Sequence, residues 1–498
     1  MPEEAAVPPR SAPARRAAER IVAGARGLAG WPLLGVAAAA LVAAAVRRVV
    51  RAPQIEADTV QVVLGAARAL RCLEGGAATC PDLSYFPPLQ YLPSAVVLLA
   101  GGSPGDAMRG LAWLNLAAWI GTSVLLAAAL RRARGAWAAA LALAAWLGGY
   151  GLAYANTTFG EVLTGFLALA FAVGCARRWP WAATGVLGLL AGLGKETAPP
   201  FLALIGASAS LLPPGGARDA RRFPWDRALA VALAVAGSAG ANAAFNLWRY
   251  GETGNPFLLQ PILRAPGVAQ WLSALAALWI SPNGGLLPFA PAAAALVCGA
   301  GAWALWRAAR GADRWTSAAP ALGALGLLAA ATLGLAAWYS PFGWWAWGPR
   351  LVLPWLPACL FLALASPLPW GDAAARAARS RGPFALGAAL LGGAVVIHAA
   401  ALADPGEWLG HFTANPACGV VIIQRDPIGF YDYLGCLMWS TDRFLLGRMV
   451  RAALDPAAIG TVIAAVALEI ALLWRARALW LERAAYLPTA NARSSTSS

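Results

Sequence analysis

Charged residues are scarce in this sequence. They make up only 12% of its 498 residues, whereas hydrophobic residues make up 60% and the mean hydropathy is +0.61. Soluble domains carry roughly 25% charged residues. Apolar runs of membrane-spanning length recur along the chain, and no soluble domain of ordinary size fits between them. The composition therefore excludes an ordinary soluble protein and predicts an all-α, polytopic integral membrane protein.

Lysine and histidine are nearly absent. Lys195 is the single lysine, and the two histidines, His398 and His411, have no neighbours in the sequence that suggest a site. A zinc site is not indicated, because the spacing of Cys72 and Cys80 matches no zinc pattern and no histidine lies close by. The net charge of +15 could suggest nucleic acid as a partner. Most basic residues, however, lie in short loops between apolar runs. We therefore expect the partners to be membrane lipids and not nucleic acid.

The apolar runs predict about twelve transmembrane helices, each near the length that a bilayer requires. We expect the protein to lie in the cell inner (plasma) membrane. Basic segments alternate with the apolar runs, and the positive-inside rule places these segments and both chain termini on the cytoplasmic side. Three basic residues do not follow the rule, because this orientation leaves them on the external side: Arg47, Arg48 and Arg51. The predicted spans are Trp31–Val46, Gly110–Leu130, Ala136–Tyr154, Gly160–Ala176, Trp181–Gly194, Ala198–Leu212, Ala228–Leu247, Gly284–Trp306, Ala318–Trp338, Leu351–Ala365, Phe384–Leu402 and Pro456–Trp474.

One further apolar segment, Leu89–Ala100, is too short to cross the bilayer. A re-entrant or interfacial helix there keeps the basic segment Arg131–Arg134 cytoplasmic, whereas a full span would place it outside. The first external loop, residues 51–109, would then contain this helix and an amphipathic helix near Thr59–Leu73. Short juxtamembrane helices in this loop are therefore part of the predicted fold.

The cysteines support the same orientation. Cys72 and Cys80 lie in one predicted external loop, and Cys418 and Cys436 lie in another. Disulfides form in oxidising compartments, so each pair is a candidate disulfide. Four unrelated thiols are the alternative.

Ionisable and aromatic residues collect on the predicted external side. Because ionisable residues beside membrane spans mark functional sites by default, these residues predict one external cavity. A carboxylate can serve as general base towards a hydroxyl, arginine and lysine bind phosphate, and aromatic rings stack on sugars. The chemistry fits a sugar donor linked to a lipid phosphate. The candidate residues are Glu56, Asp58, Tyr85, Glu161, Lys195, Arg249, Trp344, Trp345, Trp347 and Arg350.

Each candidate also has a structural interpretation. Asp58 could cap the helix that begins at Thr59, and Glu161 could stabilise a helix N-terminus. Lys195 could pair with its neighbour Glu196 in a turn. The tryptophan cluster could be an interfacial aromatic belt, and Arg350 could reach lipid headgroups.

Four motifs in order resemble the GT-C superfamily of polytopic glycosyltransferases, in particular the branch with the lipid A aminoarabinose transferase and the protein O-mannosyltransferases. They are an early acid in Glu56-Ala57-Asp58, the PPL element in Phe86–Leu92, the stretch Gly188–Lys195, and the aromatic element Trp345–Arg350. The Gly188–Lys195 stretch is one residue longer than the family's pattern, and the tyrosine that often follows the first acid is absent. The WWDYG motif of oligosaccharyltransferases is also absent, which disfavours that branch.

The resemblance implies a role for each matching residue. Asp58 would activate the acceptor hydroxyl, with Glu56 beside it and Glu161 as the second functional carboxylate. Lys195 and Arg350 would hold the donor phosphate, and Arg249 is assigned there by inference. Tyr85 and the tryptophans Trp344, Trp345 and Trp347 would line the substrate site. A divalent metal at Glu56 and Asp58 is possible, but no motif indicates one.

The predicted organisation is a disordered cytoplasmic tail at 1–29, a GT-C-like transmembrane catalytic module at 30–366 with the external loop at 51–109, further transmembrane helices at 367–474 with an external loop at 403–454, and a cytoplasmic tail at 475–498. The implied reaction moves a sugar from a polyprenyl-phosphate donor to a lipid, glycan or protein acceptor. A transporter or lipid flippase is the alternative, and would show charged breaks near mid-membrane and two related halves. A scaffold protein without enzymatic activity is the third class.

Overall fold

The computed structural model describes residues 31–51, 57–81, 83–158, 160–212, 225–259, 267–311, 315–338, 342, 348–366, 394–402, 436, 438–439 and 453–486. These residues form helices and connecting turns without an extended β-strand. The predicted all-α architecture is confirmed.

Seventeen labelled helices follow one another among the described residues, and residues 394–402 are also helical. Short 3-10 turns lie at Tyr150–Asn156 and Arg350–Val352, and a π turn at Leu233–Gly237 joins α9 to α10. The helices are α1 Trp31–Arg51, α2 Ala57–Glu74, α3 Pro88–Leu99, α4 Pro104–Arg134, α5 Ala136–Leu147, α6 Glu161–Arg177, α7 Trp181–Leu193, α8 Ala198–Ser210, α9 Trp225–Ala232, α10 Ser238–Tyr250, α11 Pro256–Leu259, α12 Val268–Ile280, α13 Leu286–Phe289, α14 Pro291–Ala309, α15 Trp315–Ala336, α16 Leu356–Ala365 and α17 Pro456–Tyr486.

Five described helices are long and apolar enough to cross a membrane: Pro104–Arg134, Trp225–Tyr250, Pro291–Ala309, Trp315–Ala336 and Ala458–Leu479. They confirm a polytopic membrane protein. Several other predicted spans are shorter. Helices α7 and α8, for example, have 13 residues each, which at 1.5 Å per residue gives about 20 Å, less than the hydrocarbon core of a bilayer. The count of about twelve spans stays a prediction.

Helices α6 and α16 form the centre of the described bundle. Nearly all side chains of α6 and all ten of α16 are buried. Helix α6 packs against α4, α7, α8 and α16. Because α6 begins at Glu161 and α16 follows the turn that contains Arg350, the two central helices bring these two charged residues to the same end of the bundle.

Helices α2 and α3 pack against each other and against α4. They share a small apolar core with the neighbouring turn and α4, formed by Val62, Val63, Ala66, Phe86, Tyr91, Ala107 and Leu111. Helix α3, with 12 residues, is the short apolar helix expected at Leu89–Ala100. This core fixes the first turn of α2, and therefore Asp58, against the rest of the bundle.

A disulfide joins Cys72 of α2 to Cys80 in the following loop, as predicted. Cys436 is also disulfide-bonded, but Cys418 lies outside the described residues, so its pairing with Cys436 stays a prediction. The backbone N–H of Cys80 donates to the carbonyl of Trp248 at 2.9 Å, which attaches the loop to the end of α10.

We expect loss of the Cys72–Cys80 bond to destabilise the protein moderately. Closing a loop of this length contributes about 2–3 kcal/mol in the chain-entropy model. Replacing both cysteines with serine should therefore lower the thermal denaturation midpoint of the purified protein, while the cysteines Cys175 and Cys298, which are not disulfide-bonded, serve as the matched serine control. An unchanged midpoint would show that the packing of α2 and α3 alone holds this loop.

Candidate active site

A cavity of about 350 Å³ lies where α2, α6, α8 and α15 approach one another. Its wall has a charged part and an apolar part. The charged and polar part comprises Asp58, Thr59, Gln90, Thr158, Glu161, Lys195, Glu196, Thr197 and Arg350. The apolar and aromatic part comprises Val62, Tyr85, Phe86, Pro87, Phe201, Ala331, Gly334, Leu335, Trp338, Leu351 and Trp355.

Four of the charged side chains form a connected group, which we call the charge cluster: Asp58, Glu161, Lys195 and Arg350. Lys195 Nζ lies 2.6 Å from Glu161 Oε1. Arg350 lies between the two acids, with Nη1 3.5 Å from Asp58 Oδ2 and Nε 3.6 Å from Glu161 Oε1. Two acids and two cations compensate one another, which a mostly buried site requires. The fold thus brings together four charged residues that are distant in the sequence.

Asp58 occupies the first turn of α2. The next residue, Thr59, is hydrogen-bonded through its hydroxyl to the hydroxyl of Thr158, and both side chains are buried. Burial raises the pKa of the Asp58 carboxyl above its ordinary value, and the charge of Arg350 opposes this rise. A carboxyl with a raised pKa is a stronger base once ionised, which suits proton removal from a hydroxyl.

Lys195 lies in the break between α7 and α8. The turn before it passes very close to α6, because a Cβ on Gly194 would collide with the Thr164 hydroxyl. This close approach lets the lysine reach Glu161, the first residue of α6. Lys195 therefore pairs with Glu161 rather than forming the turn pair with Glu196 that the sequence left open.

Arg350 is positioned by the turn that precedes it. Gly348 has a φ of +65°, and a Cβ there would lie 3.1 Å from atoms of Phe289 and Tyr150. The Tyr150 hydroxyl donates to the carbonyl of Pro349 at 3.1 Å. Because a side chain at position 348 would be both strained and crowded, this glycine allows the chain to direct Arg350 into the cavity.

Arg249 does not line the cavity, which differs from its expected place beside the donor phosphate. It is completely buried and lies behind the wall. Its Nη1 donates to the carbonyls of Ser84 and Phe86, and its Nη2 donates to Glu196 Oε1 at 2.8 Å and to Asn246 Oδ1. The two terminal nitrogens are thus engaged within the protein, and Nε is buried away from solvent, so Arg249 is not placed to bind a phosphate in the cavity.

The apolar part of the wall is built mainly by α15 and α8. Ala331, Gly334 and Leu335 repeat at helical spacing along α15 and face the cavity. Phe201 of α8 stacks on Trp355 with ring centroids 4.7 Å apart. Gly334 is part of the wall and is exposed, and it belongs to a helix that is long and apolar enough to cross a membrane.

The structure places five of the predicted residues on the cavity wall: Asp58, Tyr85, Glu161, Lys195 and Arg350. The predicted residues Glu56, Trp344, Trp345 and Trp347 lie outside the described residues. Within the described part of the chain, no group of three or more His, Cys, Asp or Glu side chains is placed to hold a metal ion.

Sequence reasoning missed several residues of the wall. Phe201 and Trp355 read as ordinary apolar residues of spans. Gln90 lies within the PPL element and Thr158 lies shortly before Glu161, but neither was assigned a role. Glu196 did carry a signal, because it forms a charged break with Lys195 between two apolar segments. Its partners, however, could not be read from the sequence.

No family model and no curated protein matches the chain. Two solved structures are similar to it. One is ArnT from Cupriavidus metallidurans in the apo state, with 18% identity, 84% of this chain and 72% of that chain covered, and a TM-score of 0.38. The other is ArnT from the same organism bound to undecaprenyl phosphate, with 18% identity, 89% and 76% covered, and a TM-score of 0.46.

Proposed function

We propose that this protein is a membrane glycosyltransferase of the GT-C type. It transfers a sugar from a polyprenyl-phosphate donor to the hydroxyl of an acceptor on the external side of the membrane. The observation that carries the proposal is that the charge cluster shares one cavity with apolar and aromatic residues, several of them on α15, a helix long and apolar enough to cross a membrane. A ligand that fits both parts of the wall is a lipid with an anionic headgroup.

Lys195 and Arg350 are the groups that bind the donor phosphate. Both are cationic and both line the cavity. Glu161 lies against both of them, at 2.6 Å from the lysine and 3.6 Å from the arginine. The acid holds the two cations near each other, and the donor phosphate binds them through charge-assisted hydrogen bonds.

Asp58 acts as the general base. It accepts the proton of the acceptor hydroxyl while the hydroxyl oxygen forms a bond to the anomeric carbon of the sugar. The bond between that carbon and the phosphate oxygen breaks at the same time, and the polyprenyl phosphate leaves with its bonding electrons. Arg350 and Lys195 stabilise the negative charge that develops on the phosphate. The aromatic rings of Tyr85 and Trp338 provide surfaces for the sugar.

The external location is supported by the disulfide. Asp58 and Cys72 are both part of α2, and Cys72 is bonded to Cys80. Disulfides persist in oxidising compartments and are rare in the cytoplasm. The disulfide therefore supports an external position for the end of the bundle that carries the cavity.

We expect the lipid part of the donor to enter at Gly334. A Cβ at this position would meet no other atom within 4 Å, and its φ is not in the left-handed range, so a larger side chain can be accommodated without backbone strain. Gly334→Leu should obstruct the opening and weaken undecaprenyl phosphate binding by about tenfold, the equivalent of roughly 1.4 kcal/mol. Native mass spectrometry of the purified protein with added undecaprenyl phosphate measures this binding.

The control is Gly240→Leu in α10, because that glycine is also helical and surrounded by open space but does not line the cavity. We expect its affinity to equal that of the wild type. Wild-type protein that binds ordinary phospholipids and no polyprenyl phosphate would contradict the proposed function. Equal binding by wild type and Gly334→Leu would contradict only the entry point.

A further inference from the structure

The charged residues on the cavity wall do not balance. Among the described lining residues, Asp58, Glu161 and Glu196 are acids, whereas only Lys195 and Arg350 are cations. Glu196 follows Lys195 directly in the sequence and lies on the same wall. An uncompensated carboxylate beside two phosphate-binding cations would repel an anionic ligand, and in a partly buried site this repulsion is only weakly screened.

Arg249 supplies the missing positive charge from behind the wall. Its Nη2 lies 2.8 Å from Glu196 Oε1, and its side chain is completely buried. Asn255 Nδ2 donates to the same carboxylate oxygen at 3.1 Å. Asn246 Nδ2 lies 3.5 Å from the other oxygen, Oε2. Both oxygens of Glu196 thus have partners outside the charge cluster, and these contacts hold the carboxylate so that it does not compete with the ligand for Lys195.

The same arginine also anchors the segment that carries the aromatic wall. Its Nη1 donates to the carbonyl of Ser84 at 2.8 Å and to the carbonyl of Phe86 at 2.6 Å. Asn255 Nδ2 donates to the carbonyl of Tyr85 at 3.2 Å. The guanidinium of Arg249 therefore connects two parts of the wall, the carboxylate of Glu196 and the turn at Ser84–Phe86, and it is stacked near the rings of Phe245 and Tyr250.

We infer that Arg249 is a positioning residue that makes the cavity able to bind an anionic headgroup, by neutralising Glu196 and holding its carboxylate away from Lys195. The inference rests on the proposed function, since it takes the ligand to be a polyprenyl phosphate. It gives Arg249 a role through Glu196, without contact to the ligand.

Substitutions of Arg249 and of Glu196 are expected to change lipid affinity in opposite directions. Arg249→Gln leaves Glu196 charged and uncompensated, so undecaprenyl phosphate should bind about tenfold or more weakly. Glu196→Gln removes the excess acid and leaves the positive charge of Arg249 behind the wall, so the same lipid should bind several-fold more tightly. A variant with both substitutions restores the balance and should bind within about threefold of wild type.

Titration of undecaprenyl phosphate into the full-length protein in detergent measures all three affinities. Arg227→Gln is the matched control, because Arg227 is also buried and donates to a single carbonyl, that of Ser210, and does not line the cavity. Its affinity should equal that of wild type. Glu196→Gln keeps every carbonyl bond of Arg249, so it tests the inference even where Arg249→Gln does not fold.

A merely structural role for Arg249 gives a different pattern. In that case the double variant would bind as weakly as Arg249→Gln or more weakly, and Glu196→Gln would not bind more tightly; either result overturns the inference. Normal binding by Arg249→Gln would overturn it as well, with the proposed function intact. Wild-type protein that binds no undecaprenyl phosphate would overturn both.

Discussion

Asp58→Asn should reduce turnover by about 10²- to 10⁴-fold, the range of general-base contributions. The amide has nearly the same size as the carboxylate but cannot accept a proton from the acceptor. Donor binding should change little, because the phosphate is bound by Lys195 and Arg350. Release of polyprenyl phosphate from the lipid-linked donor in a single turnover measures the rate, and titration with undecaprenyl phosphate measures the binding.

The matched control for this variant is Asp106→Asn. Asp106 also lies in the first turn of a helix, α4, where it forms a capping box with Ser103. It is exposed and does not line the cavity, so its turnover should equal that of wild type. If Asp58 acted only as a structural residue of the helix start, asparagine would serve nearly as well there. Normal turnover of Asp58→Asn would therefore show that Asp58 is not the base. The protein could still be a glycosyltransferase, with Glu56 or Glu161 as the base.

The sequence indicated a set of charged residues for one cavity, but it could not indicate the partner of each. Asp58, Glu161, Lys195 and Arg350 could be found because each lies at the end of an apolar run, where a charge is costly without a partner. Their grouping on one side followed from the alternation of basic loops. Arg249 satisfied the same criterion, yet its guanidinium points to backbone carbonyls and to Glu196.

The difference between Arg249 and Arg350 depends on tertiary packing. Arg249 is in the last turn of α10, where the loop that follows α2 happens to present its carbonyls, and hydropathy contains no information about that contact. The lengths of several helices were missed for a related reason. The apolar run predicted as one span at Ala136–Tyr154 contains the end of α5 at Leu147 and then a 3-10 turn, because turn residues buried inside a protein can be as apolar as a span.

Arg350→Gln should impair both binding and rate. The arginine is the shared partner of Asp58 and Glu161, at 3.5 and 3.6 Å, and in the proposed reaction it also binds the phosphate. Charge-assisted hydrogen bonds contribute about 1.5–3 kcal/mol each, so undecaprenyl phosphate should bind roughly 10- to 100-fold more weakly. The rate should fall by a further factor of about 10² or more, because the charge that develops on the leaving phosphate loses a partner.

The pH dependence of this variant distinguishes a catalytic group from a packing residue. A base works only when it is deprotonated, so turnover rises as the pH increases through the pKa of Asp58. Burial already raises this pKa, Arg350 lowers it, and Glu161 raises it. Removing the arginine leaves the two acids without their shared cation, so the pKa of Asp58 rises further and the acid limb of the turnover profile moves to higher pH.

Arg109→Gln is the control, because that arginine is exposed and pairs with Asp106; its pH profile should match that of wild type. A reduced rate in Arg350→Gln with an unmoved acid limb would mean that Asp58 and Arg350 are not electrostatically coupled during the reaction, and would contradict the assignment of Asp58 as the base.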